Sequence, residues 1–97
     1  MKVNGRHLVV FALPREGDGC RLGITATRRL GGAVVRNRAR RRVRELVRRH
    51  AEALSGRTLD IVVNPRAGCA EAPWAELEGD FVRCLSALSR RLSPPAC

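Results

Sequence analysis

Of the residues in this chain with chemistry to offer, 18 are arginines, nine are carboxylates, four are cysteines and two are histidines, and only the arginines are arranged. His7 and His50 lie 43 positions apart, neither at a recognisable motif spacing from a carboxylate. No Gly-x-Ser-x-Gly, His-Glu-x-x-His, P-loop or Gly-x-Gly-x-x-Gly pattern supplies a nucleophile, a zinc site or a phosphate cradle. The carboxylates are scattered or fall in the first turns of expected helices, where capping and dipole effects account for them. Cys20, Cys69, Cys84 and Cys97 include no Cys-x-x-Cys pair and read as unpaired thiols of a reduced compartment. The expectation is that the chain itself carries no catalytic residue and no metal ligand.

The stretch "AVVRNRARRRVRELVRRH", residues 33–50, puts eight arginines into eighteen positions yet keeps valines, a leucine and an alanine at helical spacing. A guanidinium presents a planar fork of donors that suits phosphate oxygens and also stacks on bases. Arg36 and Arg38 fall in the first helical turn, where unpaired backbone N–H groups add attraction for an anion. Arg28 and Arg29 stand just before the Gly31-Gly32 break. Like charges four residues apart, Arg36, Arg40 and Arg44, repel one another, and only Glu45 and Glu52 relieve them, so a bound polyanion is the expected compensator. The competing reading is a merely solvated basic face. Asn37, a mediocre helix former set between two arginines, offers a donor and an acceptor for a sugar or base edge.

The bulk numbers agree with a polyanionic partner: 19 basic residues against nine acidic ones give a net charge of +10. Ninety-seven residues make one RNA-binding domain, 1–97, with 93–97 expected as a flexible tail. No apolar run approaches the roughly 20 residues needed to span a bilayer, and no secretory signal opens the chain. A cytoplasmic protein with no membrane partner and no small-molecule substrate is expected.

These residues need elements to position them. "HLVVFAL" (7–13) and "CRLGITAT" (20–27) read as strands, and their closeness suggests an antiparallel pair. The arginine helix is expected over 33–54, with Val35, Ala39, Val43, Leu46, Val47 and His50 on its apolar stripe and Ser55-Gly56 ending it. "TLDIVVN" (58–64) reads as a central strand closed by Pro65. A last helix starts near Pro73, with Trp74, Leu77, Phe81, Leu85, Leu88 and Leu92 at spacings of three and four, Trp74 and Phe81 as core. The order β-β-α-β-α suggests a small two-layer α/β (α+β) sandwich on a mixed sheet, the arginine helix lying in a parallel crossover.

The ordered pattern in "RLGITATRRLGGAVVRNRARRRVREL" resembles the signature of the protein subunit of bacterial ribonuclease P. The matching features are Gly23 in a strand, Thr27 followed by Arg28, Arg29, Leu30 and Gly31, then Ala33-Val34, Arg36-Asn37-Arg38 and a basic helix. The flanking "GRHLVVFAL" and "LDIVVNPRAG" fit as well, so the likeness covers nearly the whole chain. It implies a ribosomal protein S5 domain 2-like fold and a ribonucleoprotein that removes the 5′ leader from precursor tRNA. The RNA subunit, with Mg²⁺, would carry the hydrolysis. Carried over by position, Arg28, Arg29, Arg36, Asn37, Arg38, Arg40, Arg41 and Arg44 are expected to contact the RNA subunit. Phe11 matches an aromatic position on the leader-binding strand, and His7, Val9 and Phe11 share a face if that strand alternates regularly. Phe11 reads equally well as core.

Three departures carry expectations of their own. The family's usual N-terminal helix has no counterpart in the sequence, which leaves a misassigned start, a shortened chain or a reduced leader cleft as the alternatives. Arg42 stands where the family often has an apolar residue, at a position where its stem would lie over the core. Asn64 and Pro65 are expected to shorten their strand. The alternative function is a ribosomal or general RNA-binding protein with no role in cleavage.

Overall fold

The computed structural model describes residues 1–14, 17, 19–54 and 58–91. Its elements run β1 (Lys2–Asn4), β2 (Leu8–Pro14), β3 (Arg21–Ile24), a 3-10 turn at Arg28–Leu30, α1 (Ala33–Arg49), a second 3-10 turn at Ala51–Leu54, β4 (Leu59–Pro65) and α2 (Trp74–Arg91). The α+β class and the parallel β3-α1-β4 crossover are as expected, with β1 as an additional, three-residue edge strand.

The pairing differs from the sequence reading. The sheet order is β1-β2-β4-β3, so β2 and β3 do not form a hairpin; β4 lies between them. It runs antiparallel to β2 over seven positions, from Leu8 opposite Pro65 to Pro14 opposite Leu59, and parallel to β3 from Arg21 opposite Asp60. The short β3 offers only four partners where β2 needs seven. Pro65 does not shorten β4 but is its buried last residue.

Alternation then sorts the two faces. Leu8, Val10 and Ala12 of β2 and Leu59, Ile61 and Val63 of β4 point into one core with Ala39, Val43 and Leu46 of α1 and Leu77, Phe81, Leu85 and Leu88 of α2. Each large apolar side chain fully buried there contributes about 1.5–3 kcal/mol. Leu92, expected on the α2 stripe, lies outside the described residues, as do Ser55, Gly56 and the 93–97 tail. The α-helix itself stops at Arg49, where the His50 N–H caps Leu46.

Two local devices fix the chain's path. Gly31 carries φ +133°, and a Cβ there would meet Val35 at 3.3 Å, so the turn into α1 calls for glycine. Asp80, only 2% exposed, accepts hydrogen bonds from the backbone N–H groups of Arg6 (2.8 Å) and His7 (2.9 Å), tying the β1–β2 turn to α2. Among the described residues no helix is long and apolar enough to cross a membrane.

Candidate nucleic-acid interface

A 3.6-residue period lets α1 bury one side and leave the other wet. With Ala39, Val43 and Leu46 fully buried, Asn37, Arg38, Arg41 and Arg44 face outward; Arg36 and Arg40 flank the stripe, half-buried. Arg28 and Arg29 stand exposed on the 3-10 turn that precedes α1. The Asn37 carboxamide oxygen accepts from the Arg40 guanidinium at 3.2 Å, which orients both side chains along the outer face. Asn37, Arg40, Arg41 and Arg44 surround a shallow hollow of about 480 Å³ on that face.

The expected relief of this charge does not reach it. Glu45 binds the Arg48 guanidinium through both oxygens and accepts a further bond from Arg49 at 3.0 Å. These bonds, Arg48's first, hold its carboxyl down at about 2. Glu45 therefore neutralises the last turn of the helix. Arg28, Arg29, Arg36, Arg38, Arg40, Arg41 and Arg44 form no ion pair with any described carboxylate.

Arg42 has a structural task that the sequence reading only brushed. Its guanidinium donates to the carbonyls of Cys69 (2.7 Å) and Ala72 (2.6 Å) and lies 5.6 Å from the Trp74 ring centroid. It thereby pins the β4–α2 connection onto α1. His50, expected as a packed residue of the stripe, is half-buried, bonds Glu78 at 3.1 Å and tilts against Phe81.

The second candidate surface is the open face of the sheet. Val9, Phe11 and Leu13 of β2 point there, away from the helices, beside Lys2, Val62 and Asn64, but Val9 is buried, so only Phe11 and Leu13 are open for contact. Phe11 is half-buried outside the core, which removes the core reading for it. The Lys2 ammonium lies 5.7 Å from its ring centroid, and Met1, Lys2, Phe11, Leu13 and Val62 line an apolar depression. Asp60, the carboxylate on this face, is held by Arg21 at 2.9 and 3.1 Å. His7 is a correction. It precedes β2, its N–H is bound to Asp80, and its ring Nε2 stands 3.7 Å from Glu76 of α2, too far for a hydrogen bond. The turn tied to Asp80 breaks the alternation before Leu8, so His7 does not share the face of Val9 and Phe11.

A third feature was not anticipated. Beyond the C-terminal ends of the parallel strands β3 and β4, Arg6, Thr27, Arg29, Asn64 and Arg66 line a cleft of about 540 Å³. Arg6 and Arg66 follow no period that would have marked them. Only the sheet order brings them beside Arg29.

Among the described residues no three His, Cys, Asp or Glu side chains gather as a metal site. Burial pushes the Cys69 and Cys84 thiols up to about 11, which leaves them protonated and poor nucleophiles.

The comparisons with known proteins point to one family. A family model described as Ribonuclease P matches residues 1–89. The chain belongs to the ribonuclease P protein family. The ribonuclease P protein component of Gluconacetobacter diazotrophicus is 45% identical over 87 residues, covering 87% of this chain and 73% of the relative. That of Halalkalibacterium halodurans is 35% identical over 80 residues, covering 81% and 66%. The ribonuclease P protein structure from Thermotoga maritima superposes with a TM-score of 0.78 at 26% identity, over 97% of this chain and 84% of that one. Across the curated ribonuclease P protein relatives the chain spans between 56% and 75% of their length.

Proposed function

We propose that this chain is the protein subunit of a ribonuclease P ribonucleoprotein, an endoribonuclease that removes the 5′ leader from precursor tRNA in the cytoplasm. The observation that carries the reading, beyond family membership, is a set of arginines without a described carboxylate partner, five on the outer side of α1, whose other side is core, and Arg28 and Arg29 on the turn before it. Such a face neutralises phosphates of a folded RNA by charge and by bidentate hydrogen bonds. The protein's part is binding and positioning. The hydrolysis, and the Mg²⁺ it uses, belong to the RNA subunit.

The open sheet face is the proposed seat of the leader. A single strand needs a platform for bases and nearby cations for its backbone. Phe11 and Leu13 supply the first, Lys2 the second, and Asp60 is already neutralised by Arg21. The cleft at Arg6, Arg29 and Arg66 lies at the sheet's end and would take a further phosphate.

The test is reconstitution with a bacterial ribonuclease P RNA, following leader removal from precursor tRNA at low Mg²⁺, where the RNA alone is slow. Wild type is expected to stimulate cleavage, and Arg36→Ala/Arg38→Ala to lose that stimulation while keeping its unfolding midpoint. If wild type neither binds nor stimulates the RNA, the general RNA-binding role replaces this reading.

A further inference from the structure

Val34 is the most exposed of the large apolar side chains among the described residues, at 79%, although it belongs to a helix otherwise divided cleanly into core and charge. It lies on the ridge between two hollows. One, about 480 Å³, is edged by Asn37, Arg40 and Arg44; the other, about 570 Å³, by Arg38, Arg42 and Trp74; Val34 and Arg41 belong to both. Glu45 also lines the second hollow, but its charge is already met by Arg48 and Arg49. The wall formed by Trp74 is rigid: the indole has the Arg42 and Arg49 guanidinium carbons 5.6 and 5.1 Å from its centroid, and Arg42 is itself fixed by two carbonyls.

Phosphate contacts alone require no apolar group here, and Val34 sets one among arginines that have no described carboxylate partner. The combination fits a nucleotide, which is anionic at its ends and apolar on its base face. A paired base in an A-form helix keeps that face covered, whereas an extruded one offers it. We propose that Val34 and the edge of Trp74 form the seat for one unpaired base of the RNA that docks on α1, with the flanking phosphates on Arg38 and Arg41. This deepens the docking role proposed above and rests on it.

Trp74, the chain's single tryptophan, is a built-in reporter. Titrating the protein with a bacterial ribonuclease P RNA is expected to change Trp74 emission in step with binding measured independently by filter retention. Val34→Thr keeps the shape and removes the apolar contact on an exposed position, so the fold is retained, as circular dichroism would verify. It is expected to weaken binding about five- to tenfold without changing the salt slope. Arg41→Ala should instead lower the slope by about 0.7–0.9 for the phosphate it releases. Salt-dependent binding with unchanged Trp74 emission and a silent Val34→Thr would overturn the base seat while leaving the docking face in place. Failure of wild type to bind the RNA would instead remove the docking role itself.

Discussion

Asp80 shows how much a single residue decides. Aspartate is a poor helix former, and it falls on the apolar side of α2 between Leu77 and Cys84, a placement no packing rule favours. It is kept because two backbone N–H groups and the Arg83 guanidinium, at 3.2 Å, satisfy it. Burial pushes its carboxyl up, but the donors from His7, Arg6 and Arg83 outweigh that and leave it below the ordinary range. Gly5 completes the fit, since a Cβ there would stand 2.5 Å from Asp80 Oδ2 and 2.7 Å from the Leu8 carbonyl oxygen. Asp80→Ala is expected to cost about 2–4 kcal/mol in urea unfolding, because the buried N–H groups lose their acceptor. A carboxyl lowered in the native state contributes fully above the unfolded value of about 4, and that contribution fades as pH falls through the lowered value. Asp80→Asn should therefore flatten the loss of stability seen below about pH 4.

At the scale of elements, the helices were the legible part and the strand pairing was not. The α1 stripe at Ala39, Val43 and Leu46 and the α2 stripe at Leu77, Phe81, Leu85 and Leu88 follow directly from a period of 3.6. Alternation likewise gave the faces of β2 and β4. It says nothing about neighbours, and the expected β2–β3 hairpin fails because β4, apolar on one face and half-covered on the other, matches β2 over its full length. The Arg42 tie belongs to this scale, since it joins α1 to the segment leading into α2. Lysine has one ammonium and no planar fork, so it cannot reproduce both carbonyl bonds in that geometry. Arg42→Lys is expected to lower stability by about 1–2 kcal/mol and to speed amide exchange in residues 69–72. Unchanged exchange there would mean that the connection holds itself.

Over the whole molecule the charge is lopsided. Described carboxylates serve the fold: Asp60 holds Arg21 on the sheet, Glu45 the end of α1, Glu78 His50, and Asp80 the β1–β2 turn. The arginines from 28 to 44, Arg42 apart, remain for a partner. RNA affinity should accordingly fall steeply with salt, the slope reaching about 5–6 if all seven unpaired arginines meet phosphates. A flat response would contradict phosphate neutralisation. The free protein should also gain thermal stability when an inorganic polyanion binds, because only the folded state presents that face as a unit.

The sequence by itself determined the element types, the one-sided burial of both helices, the polyanionic class of partner and the family, because these rest on local periodicity, charge and an ordered motif. It also placed the arginines of the basic face, since one helix carries most of them. What it left to the tertiary structure were relations between residues far apart in the chain: β4 inserted between β2 and β3, Arg6 and Arg66 beside Arg29, His7 turned toward Glu76, and Trp74 lining one hollow with Val34. The physical reason is common to all four. Periodicity fixes which way a side chain points within its own element, whereas neighbours across elements are chosen by which strands can satisfy one another's backbone and which side chains can fill the same core.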